Sequence, residues 1–182
     1  RLKDDAKQAV EYLREEQIEV ALLTGDNRLT ASAIAEECGI SEVEAQMLPA
    51  AKRDYIVSRR NEGKRVAMIG DGVNDSVALA EADVSIAMGT GSDIAMNAAQ
   101  VTIIDGRLSR LPFAIRLSRQ TIRTIRQNLF WAFLYNVIGI PVAAGLLYPS
   151  LGVMLNPMIA SAAMAFSSVC VVSNSLRLKY KK

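Results

Sequence analysis

Two aspartates, Asp71 and Asp75, follow an apolar segment in the sequence VAMIGDGVND, residues 66–75. Carboxylate oxygens are the ligands that hard cations such as Mg²⁺ prefer, and two acids four residues apart can reach one ion. Gly70 and Gly72 permit a tight turn and the close approach of a phosphate. The spacing therefore fits a magnesium and phosphate site, and it fits equally a strand-to-helix turn capped by an aspartate.

Residues elsewhere in the chain favour the phosphate interpretation. Thr24 and Asp26 end another apolar segment, residues 18–26, and a threonine hydroxyl can donate to a phosphate oxygen. Lys52 begins a helical segment after Pro49, so its ammonium group could reach the same pocket. A threonine, a lysine and two aspartates at one sheet edge are typical of a phosphoryl-transfer pocket that lacks its nucleophile.

Strand-like and helical patterns alternate up to about residue 106, which predicts an α/β domain with a parallel sheet covered on both faces. The predicted buried strands are IEVALLTGD, RVAMIGD, DVSIAM and QVTIID, and the predicted helices cover residues 5–16, 29–38, 52–61, 76–81 and 94–98. Ligands bind beyond the carboxyl ends of such strands. Thr24-Gly25-Asp26 and Gly70-Asp71-Gly72 fall there, and Gly89 and Gly91 mark a further loop.

The composition excludes several classes of site. Histidine is absent, which removes Ser-His-Asp triads, histidine bases and most zinc sites. Cys38 and Cys170 are too far apart in sequence for a CxxC motif, and free thiols fit a cytosolic compartment. The net charge of +2 gives no indication of nucleic-acid binding.

A run of 50 residues, from Gln127 to Leu176, contains no Asp, Glu, Lys or Arg. A bilayer core requires about 20 apolar residues per helix, so this run accommodates two spans. We expect a transmembrane hairpin with spans near Leu129–Leu147 and Val153–Ser173, joined at YPSLG. Basic residues on both sides place both ends of the hairpin, and the α/β domain, in the cytoplasm. The alternative is two buried helices of a large soluble protein.

Few polar residues lie inside the predicted spans, and these could line an ion pathway. Tyr135 and Asn136 fall mid-span in the first helix, and Met164 and Ser168 lie four residues apart on one face of the second. A thioether is a soft ligand that suits Cu(I). The competing interpretation is ordinary packing between helices.

Three motifs, LLTGDN at 22–27, LPAAK at 48–52 and MIGDGVND at 68–75, closely resemble motifs of the P-type ATPases. These pumps are built on a haloacid dehalogenase-like phosphorylation domain. Tyr135-Asn136 and Met164-x-x-x-Ser168 resemble the heavy-metal subclass that exports Cu(I) or Ag(I). The resemblance implies the C-terminal part of such a pump: part of the phosphorylation domain at 1–106, a basic linker helix at 107–128, two transmembrane helices at 129–176 and a basic cytoplasmic tail at 177–182.

The resemblance also implies a role for each matching residue around Mg²⁺ and ATP. Asp71 would bind Mg²⁺, and Asp75 would support the metal and form a salt bridge with Lys52. Lys52 would neutralise phosphoryl oxygens, and Thr24 would hydrogen-bond one of them. Three further roles are expected. Gly25 and Asp26 position the nucleotide, or Asp26 positions the hinge to the nucleotide domain, and Asn74 braces the loop. The site of the transported Cu(I) receives contributions from Tyr135, Asn136, Met164 and Ser168.

Several motifs of the family do not occur in this sequence: the D-K-T-G-T that carries the phosphorylated aspartate, the T-G-E of the actuator domain and the membrane Cys-Pro-Cys. We therefore expect no ATP hydrolysis by this chain alone. The expected partners are the nucleotide and actuator domains and other membrane helices of the same multi-pass pump in the plasma or inner membrane, together with membrane lipid and a copper chaperone. Two alternatives are a pump for another soft metal such as Zn²⁺ and a truncated, non-catalytic module.

Overall fold

The computed structural model describes residues 5–70, 73–89, 99–144 and 157–180, and the chain divides into two compact units, Arg1–Phe113 and Ala114–Lys182. The first unit alternates helices and strands. In chain order these are α1 (Ala6–Glu15), β1 (Ala21–Leu23), α2 (Arg28–Cys38), β2 (Glu42–Glu44), α3 (Pro49–Asn61), β3 (Ala67–Gly70), a 3₁₀ turn (Val73–Asp75), α4 (Ser76–Glu81), β4 (Val84–Met88) and β5 (Val101–Ile103).

All described strand pairs are parallel, as predicted. β1 pairs with β2 in the register Leu22↔Val43, and β4 lies between β3 and β5 in the registers Ile69↔Ile86 and Ala87↔Thr102. Two features differ from the prediction. The described strands form a two-stranded and a three-stranded sheet, and β2 was not predicted because its sequence, EVE, is short, acidic and half-exposed.

Local sequence signals explain the bounds of α2. The Asn27 side chain accepts a hydrogen bond from the backbone N–H of Thr30 at 2.9 Å, which satisfies one of the free N–H groups of the first turn. Gly39 follows the last helical residue with φ of +72°, a left-handed conformation that glycine adopts without steric cost. Predicted helix starts were less accurate: α3 begins at Pro49, three residues before Lys52. The helix predicted at 94–98 lies outside the described residues.

Apolar side chains from α3, β3 and α4 form the core beside the predicted site. Ile56 and Leu79 are almost completely buried, and Met68, Ala78 and Ala82 pack with them. A second cluster joins α1 to α2. These contacts fix α3 against α4, and α4 follows directly after Asp75.

Ion pairs hold the strand ends of the first unit. Asp83 accepts a hydrogen bond from the backbone N–H of Val66 at 2.9 Å, and this bond, with Arg60 and Arg65 nearby, lowers the pKa of Asp83. Arg110 and Arg107 donate to Asp105 at 2.9 and 2.8 Å and lower the pKa of Asp105 to about 2. Both carboxylates therefore remain ionised at neutral pH.

The second unit contains two long helical segments. α5 spans Arg110–Ala143, beginning in the first unit and continuing past the predicted linker boundary at 128, and α6 spans Pro157–Tyr180. The two helices are joined by side-chain hydrogen bonds. Asn174 Nδ2 donates to Asn128 Oδ1 at 2.8 Å, and Asn128 Nδ2 donates to Ser175 Oγ at 2.9 Å. Within the described ranges, no helix is both long enough and apolar enough to cross a membrane.

Candidate functional site

Lys52 and Asp75 form a close ion pair at the carboxyl end of β3. Lys52 Nζ lies 2.7 Å from Asp75 Oδ1, and the two side chains are only 13% and 12% exposed. Lys52 lies in the first turn of α3, and Asp75 ends the 3₁₀ turn that follows β3. The structure thus forms the salt bridge that the resemblance implies across 23 residues of sequence. A charged hydrogen bond with little solvent around it is strong and directional.

Gly70 provides the space that Asp75 occupies. A Cβ atom on Gly70 would lie 2.8 Å from Asp75 Cβ and 3.0 Å from Asp75 Oδ2, closer than side chains normally approach. The absence of a side chain at Gly70 therefore lets Asp75 fold back over the strand end. This is a more specific reason for the glycine than the general tight turn predicted from the sequence.

The loop after β1 is held by local backbone contacts. The Thr24 hydroxyl accepts a hydrogen bond from the Asp26 N–H at 3.1 Å, which leaves the hydroxyl hydrogen available to donate. The backbone carbonyl of Thr24 accepts from Met47, and that of Asp26 accepts from Gln46, both at 2.9 Å. Thr24 and Asp26 are therefore fixed in position, and both are more exposed than Asp75.

Gln46 helps to hold the loop after β1, and the sequence patterns did not indicate this role. Its backbone has a φ of 57°, in the left-handed region, where a residue with a side chain is uncommon. In this conformation its N–H reaches the Asp26 carbonyl. Glutamine is not among the residues typical of left-handed turns, so the sequence carries no signal for this contact.

The remaining predicted residues are not joined to this pair by any described hydrogen bond. Asn74 is exposed, and Asp71 and Gly72 lie outside the described residues. Gly25 is not required by a close approach, because a Cβ atom there would lie 3.5 Å from the Met47 carbonyl oxygen, an ordinary van der Waals distance. Gly89, after β4, is required by a close backbone approach, since its Cβ would lie 2.3 Å from the Ile104 carbonyl oxygen.

The predicted metal-transport residues lie on α5 and α6. Tyr135 and Asn136 are exposed on α5, and Asn136 Nδ2 donates to the Ala132 carbonyl of its own helix at 2.9 Å. Ser168 is exposed on α6, and Met164 lies in α6 with its side chain outside the description. The described atoms therefore place these four residues on two helices, and their ligand role stays a prediction.

The carboxylates at the end of β3 fit Mg²⁺ better than a fully protein-bound metal. The described residues contain no group of three or more His, Cys, Asp or Glu side chains arranged to hold an ion. Magnesium usually takes one or two carboxylates and completes its shell with phosphate and water. Asp75 retains Oδ2 beside its bond to Lys52, and Asp71 directly follows β3 in sequence. Asp75 is thus one described carboxylate that fits a Mg²⁺ shell completed by phosphate, and the role of Asp71, outside the described residues, stays a prediction.

The chain was compared with protein-family models and with curated proteins. A family model described as "Hydrolase: haloacid dehalogenase-like hydrolase" matches residues 1–83. The chain is 54% identical over 178 residues, 98% of its length, to "Copper-transporting ATPase 1" of Rhizobium meliloti and to "Silver exporting P-type ATPase" of Salmonella typhimurium. It spans only 22% of the length of either relative.

A solved structure is similar over nearly the whole chain. The crystal structure of a zinc-transporting PIB-type ATPase in its E2.Pi state superposes with a TM-score of 0.85 at 35% identity. The match covers 98% of this chain and 28% of that protein. The haloacid dehalogenase-like fold predicted from the sequence is therefore confirmed for the α/β unit.

Proposed function

Because the chain belongs to the P-type ATPases, we propose that it is the part of a Cu(I)- or Ag(I)-exporting pump that supports the phosphoryl group during ATP hydrolysis. The observation that carries this proposal is the Lys52–Asp75 ion pair at the carboxyl end of β3. It joins two of the three resembling motifs, LPAAK and MIGDGVND, in one place.

The charges at this strand end suit phosphoryl transfer. The Lys52 ammonium can neutralise phosphoryl oxygens, while Asp75 holds that ammonium in position and offers its second oxygen to the metal shell. Asp71 and Asp75 would hold Mg²⁺, which when bound supplies positive charge to the transferring phosphoryl group. The Thr24 hydroxyl hydrogen would donate to a phosphoryl oxygen, and Asn74 would brace the turn.

Two open strand edges indicate where the strand that carries the missing phosphorylated aspartate could pair. Among the described strands, β1 pairs only with β2 and β3 pairs only with β4, so each has one edge without a strand partner. An unpaired edge is a ready template for another strand. We propose that the strand bearing D-K-T-G-T, supplied by the rest of the pump, pairs between β1 and β3 and brings its aspartate to Asp71, Lys52 and Thr24.

ATP would approach from the loop after β1. Gly25 and Asp26 lie there, and the backbone contacts of Gln46 and Met47 hold this loop in one conformation. Asp26 is exposed, as expected of a residue that meets a nucleotide held mainly by another domain. The nucleotide and actuator domains, and a copper chaperone that delivers the ion, would be separate contributors to the intact pump.

We propose that α5 from about Leu129 onward, together with α6, lies in the membrane, as parts of the two spans predicted at Leu129–Leu147 and Val153–Ser173, which extend into residues outside the described ranges. The sequence from Gln127 to Leu176 carries no charged residue, and the described part of α5 exposes large apolar side chains, among them Phe133, Val137 and Ile140. Such a surface is favourable in lipid and costly in water. Tyr135, Asn136, Met164 and Ser168 would then contribute to the path of Cu(I), the transported substrate. Both ends of the hairpin formed by these two helices, and the α/β unit, would face the cytoplasm.

Copper or silver is favoured over zinc as the substrate. The relatives named for copper and silver are 54% identical to the chain, whereas the structure named for zinc is 35% identical. Zinc sites favour histidine, cysteine or carboxylate ligands, and the 50-residue uncharged run contains no histidine or carboxylate and a single cysteine, Cys170. Thioether ligands instead suit Cu(I) and Ag(I) alike.

The decisive experiment separates phosphorylation from transport in the intact pump. We expect Asp71→Asn to abolish phosphoenzyme formation from ATP, because the metal shell loses a carboxylate, while the exposed control Asp54→Asn retains it. We expect Met164→Leu to spare phosphorylation by inorganic phosphate and to weaken Cu(I)-stimulated turnover. Met158→Leu, an exposed methionine on the same helix, is the matched control.

Two results would contradict the assignment separately. A normal level of phosphoenzyme in Asp71→Asn would show that Asp71 is not a magnesium ligand. Equal copper stimulation in Met164→Leu and Met158→Leu would show that Met164 is not a ligand of the transported ion. This result would not depend on whether the phosphorylation site is assigned correctly.

A further inference from the structure

An open cavity of about 550 Å³ lies along one face of α5, and all of the residues that line it belong to this helix. Three arginines line it, Arg119, Arg123 and Arg126, together with the aromatic side chains of Phe130 and Trp131. Residues three and four apart project from the same face of a helix, so the arginines form a row that leads into the aromatic pair. Neither the phosphoryl site nor the proposed Cu(I) path uses these side chains.

The charges of Arg123 and Arg126 are not offset by any acidic side chain of their own unit. The sequence contains no Asp or Glu after Asp105, so the unit Ala114–Lys182 has cations and no carboxylate. Arg123 and Arg126 therefore present guanidinium groups that no acid of that unit can neutralise. A planar guanidinium matches the geometry of a phosphate, to which it donates two parallel hydrogen bonds.

The aromatic end of the cavity differs in character from the arginine end. Phe130 and Trp131 are 60% and 52% exposed and meet edge to face with ring centroids 5.5 Å apart. Tryptophan concentrates where water meets the acyl region of a bilayer, because its ring is apolar and its N–H is polar. Beyond it, Phe133 and Val137 continue the exposed apolar surface.

The order along α5 is thus cationic, then aromatic, then aliphatic. Arg123 and Trp131 are eight residues apart, about 12 Å at the helical rise. A phospholipid presents the same sequence of chemistries, from its phosphate through the glycerol region to the acyl chains. A soluble anion would match the arginines alone and would leave the aromatic wall unused.

We propose that this cavity is a binding site for an anionic phospholipid, with Arg123 and Arg126 donating to the headgroup phosphate and with Phe130 and Trp131 packed against the glycerol and upper acyl region. The inference rests on the proposed membrane location of α5. It adds a specific lipid partner to that location and is independent of the transported ion.

Trp131 is the single tryptophan of the chain and lines the cavity, so its fluorescence reports on the site directly. The full chain is reconstituted in phosphatidylcholine vesicles that contain a small, equal fraction of either brominated phosphatidylglycerol or brominated phosphatidylcholine. Bromine quenches tryptophan at short range. We expect stronger quenching by the phosphatidylglycerol probe, because the cavity selects it from the bulk lipid.

Arginine substitutions test the headgroup contact. Near a membrane surface each Arg or Lys changes the affinity for anionic lipid by about fivefold, so Arg123→Gln and Arg126→Gln should each lower the apparent affinity for phosphatidylglycerol by about that factor. Arg123→Lys should keep most of the preference. Arg177→Gln, which removes the same charge from α6 outside the cavity, is the matched control and should lower the preference much less than either cavity substitution. Circular dichroism establishes that every variant retains its helices.

The other possible results of the quenching experiment would each contradict a different part of the proposal. Equal quenching by the two probes would refute the lipid site while leaving the membrane location intact. No quenching by brominated phosphatidylcholine, with the chain associated with the vesicles, would refute the membrane location of α5. Displacement of the phosphatidylglycerol probe by millimolar inorganic phosphate would show a phosphate site in place of a lipid site.

Discussion

The two units of this chain handle charge and apolar surface in opposite ways. All 19 Asp and Glu residues lie before Gly106, and the described ion pairs, such as Lys52–Asp75 and Arg53–Glu81, belong to the first unit. That unit also buries Ile56 and Leu79 in its own core. The second unit has no carboxylate and exposes large apolar side chains along α5 and α6.

This difference shows where each unit obtains its stability. The first unit pairs many of its charges and buries a core around Ile56 and Leu79 internally, so much of its structure follows from its own sequence, while the open edges of β1 and β3 leave room for the strand that we propose the rest of the pump supplies. The second unit leaves both tasks to its surroundings, which we propose are lipid and the rest of the pump. Substitutions at internal contacts should therefore be costly in the first unit and mild in the second.

The largest expected effect follows from breaking the buried ion pair. Lys52→Met leaves the Asp75 carboxylate without its partner in a site that is only about one-eighth exposed. Removing one member of a buried pair typically costs about 3–5 kcal/mol. We expect the free energy of opening β3 and α4, measured by amide hydrogen exchange, to fall by that amount.

The adjacent residue provides the control for this prediction. Arg53 pairs with Glu81 at 3.0 Å, but its side chain is 46% exposed, and exposed pairs contribute at most about 1 kcal/mol. Arg53→Met should therefore leave hydrogen exchange in β3 nearly unchanged. Equal effects of the two substitutions would show that the Lys52–Asp75 pair is not stabilised by burial.

A smaller effect is expected from filling the space at Gly70. The added methyl group of Gly70→Ala would lie 2.8 Å from Asp75 Cβ, so the turn must shift. Overpacking of this kind costs about 1–3 kcal/mol, measured by the same exchange experiment. Gly25→Ala is the matched control, because its methyl group would meet the Met47 carbonyl at an ordinary 3.5 Å. A Gly70→Ala protein as stable as Gly25→Ala would mean that Asp75 does not depend on this glycine.

Sequence patterns predicted the fold of the first unit well where a signal was strong. Apolar runs marked β1, β3, β4 and β5, and the predicted end of α2 at residue 38 was correct. β2 was missed because three residues with two acids resemble a loop. The division into two described sheets was also missed, since strand order depends on partners that periodicity cannot reveal.

The site residues that lie within motifs could be predicted from the sequence. The residues whose contacts hold the motif residues in position could not. Lys52 and Asp75 were paired in advance only through the family resemblance, because spacing gives no contact across 23 residues. The left-handed Gln46 that holds the Asp26 carbonyl has no sequence signal at all. Such supports arise from tertiary packing, which local propensity does not determine.

The smallest expected effect tests the second unit at its interhelical amides. Asn174 donates to Asn128 at 2.8 Å, and Asn174→Leu removes this bond between α5 and α6. Hydrogen bonds between helices in a membrane contribute about 0.6–2 kcal/mol, so we expect helix pairing in lipid vesicles, followed by energy transfer between labels on the two helices, to weaken by that range. Thr121→Val is the control, because the Thr121 hydroxyl bonds only to the Leu117 carbonyl of its own helix among its described hydrogen bonds. If Asn174→Leu instead cost as much as Lys52→Met, the second unit would be held by internal polar contacts, and the contrast between the two units would not stand.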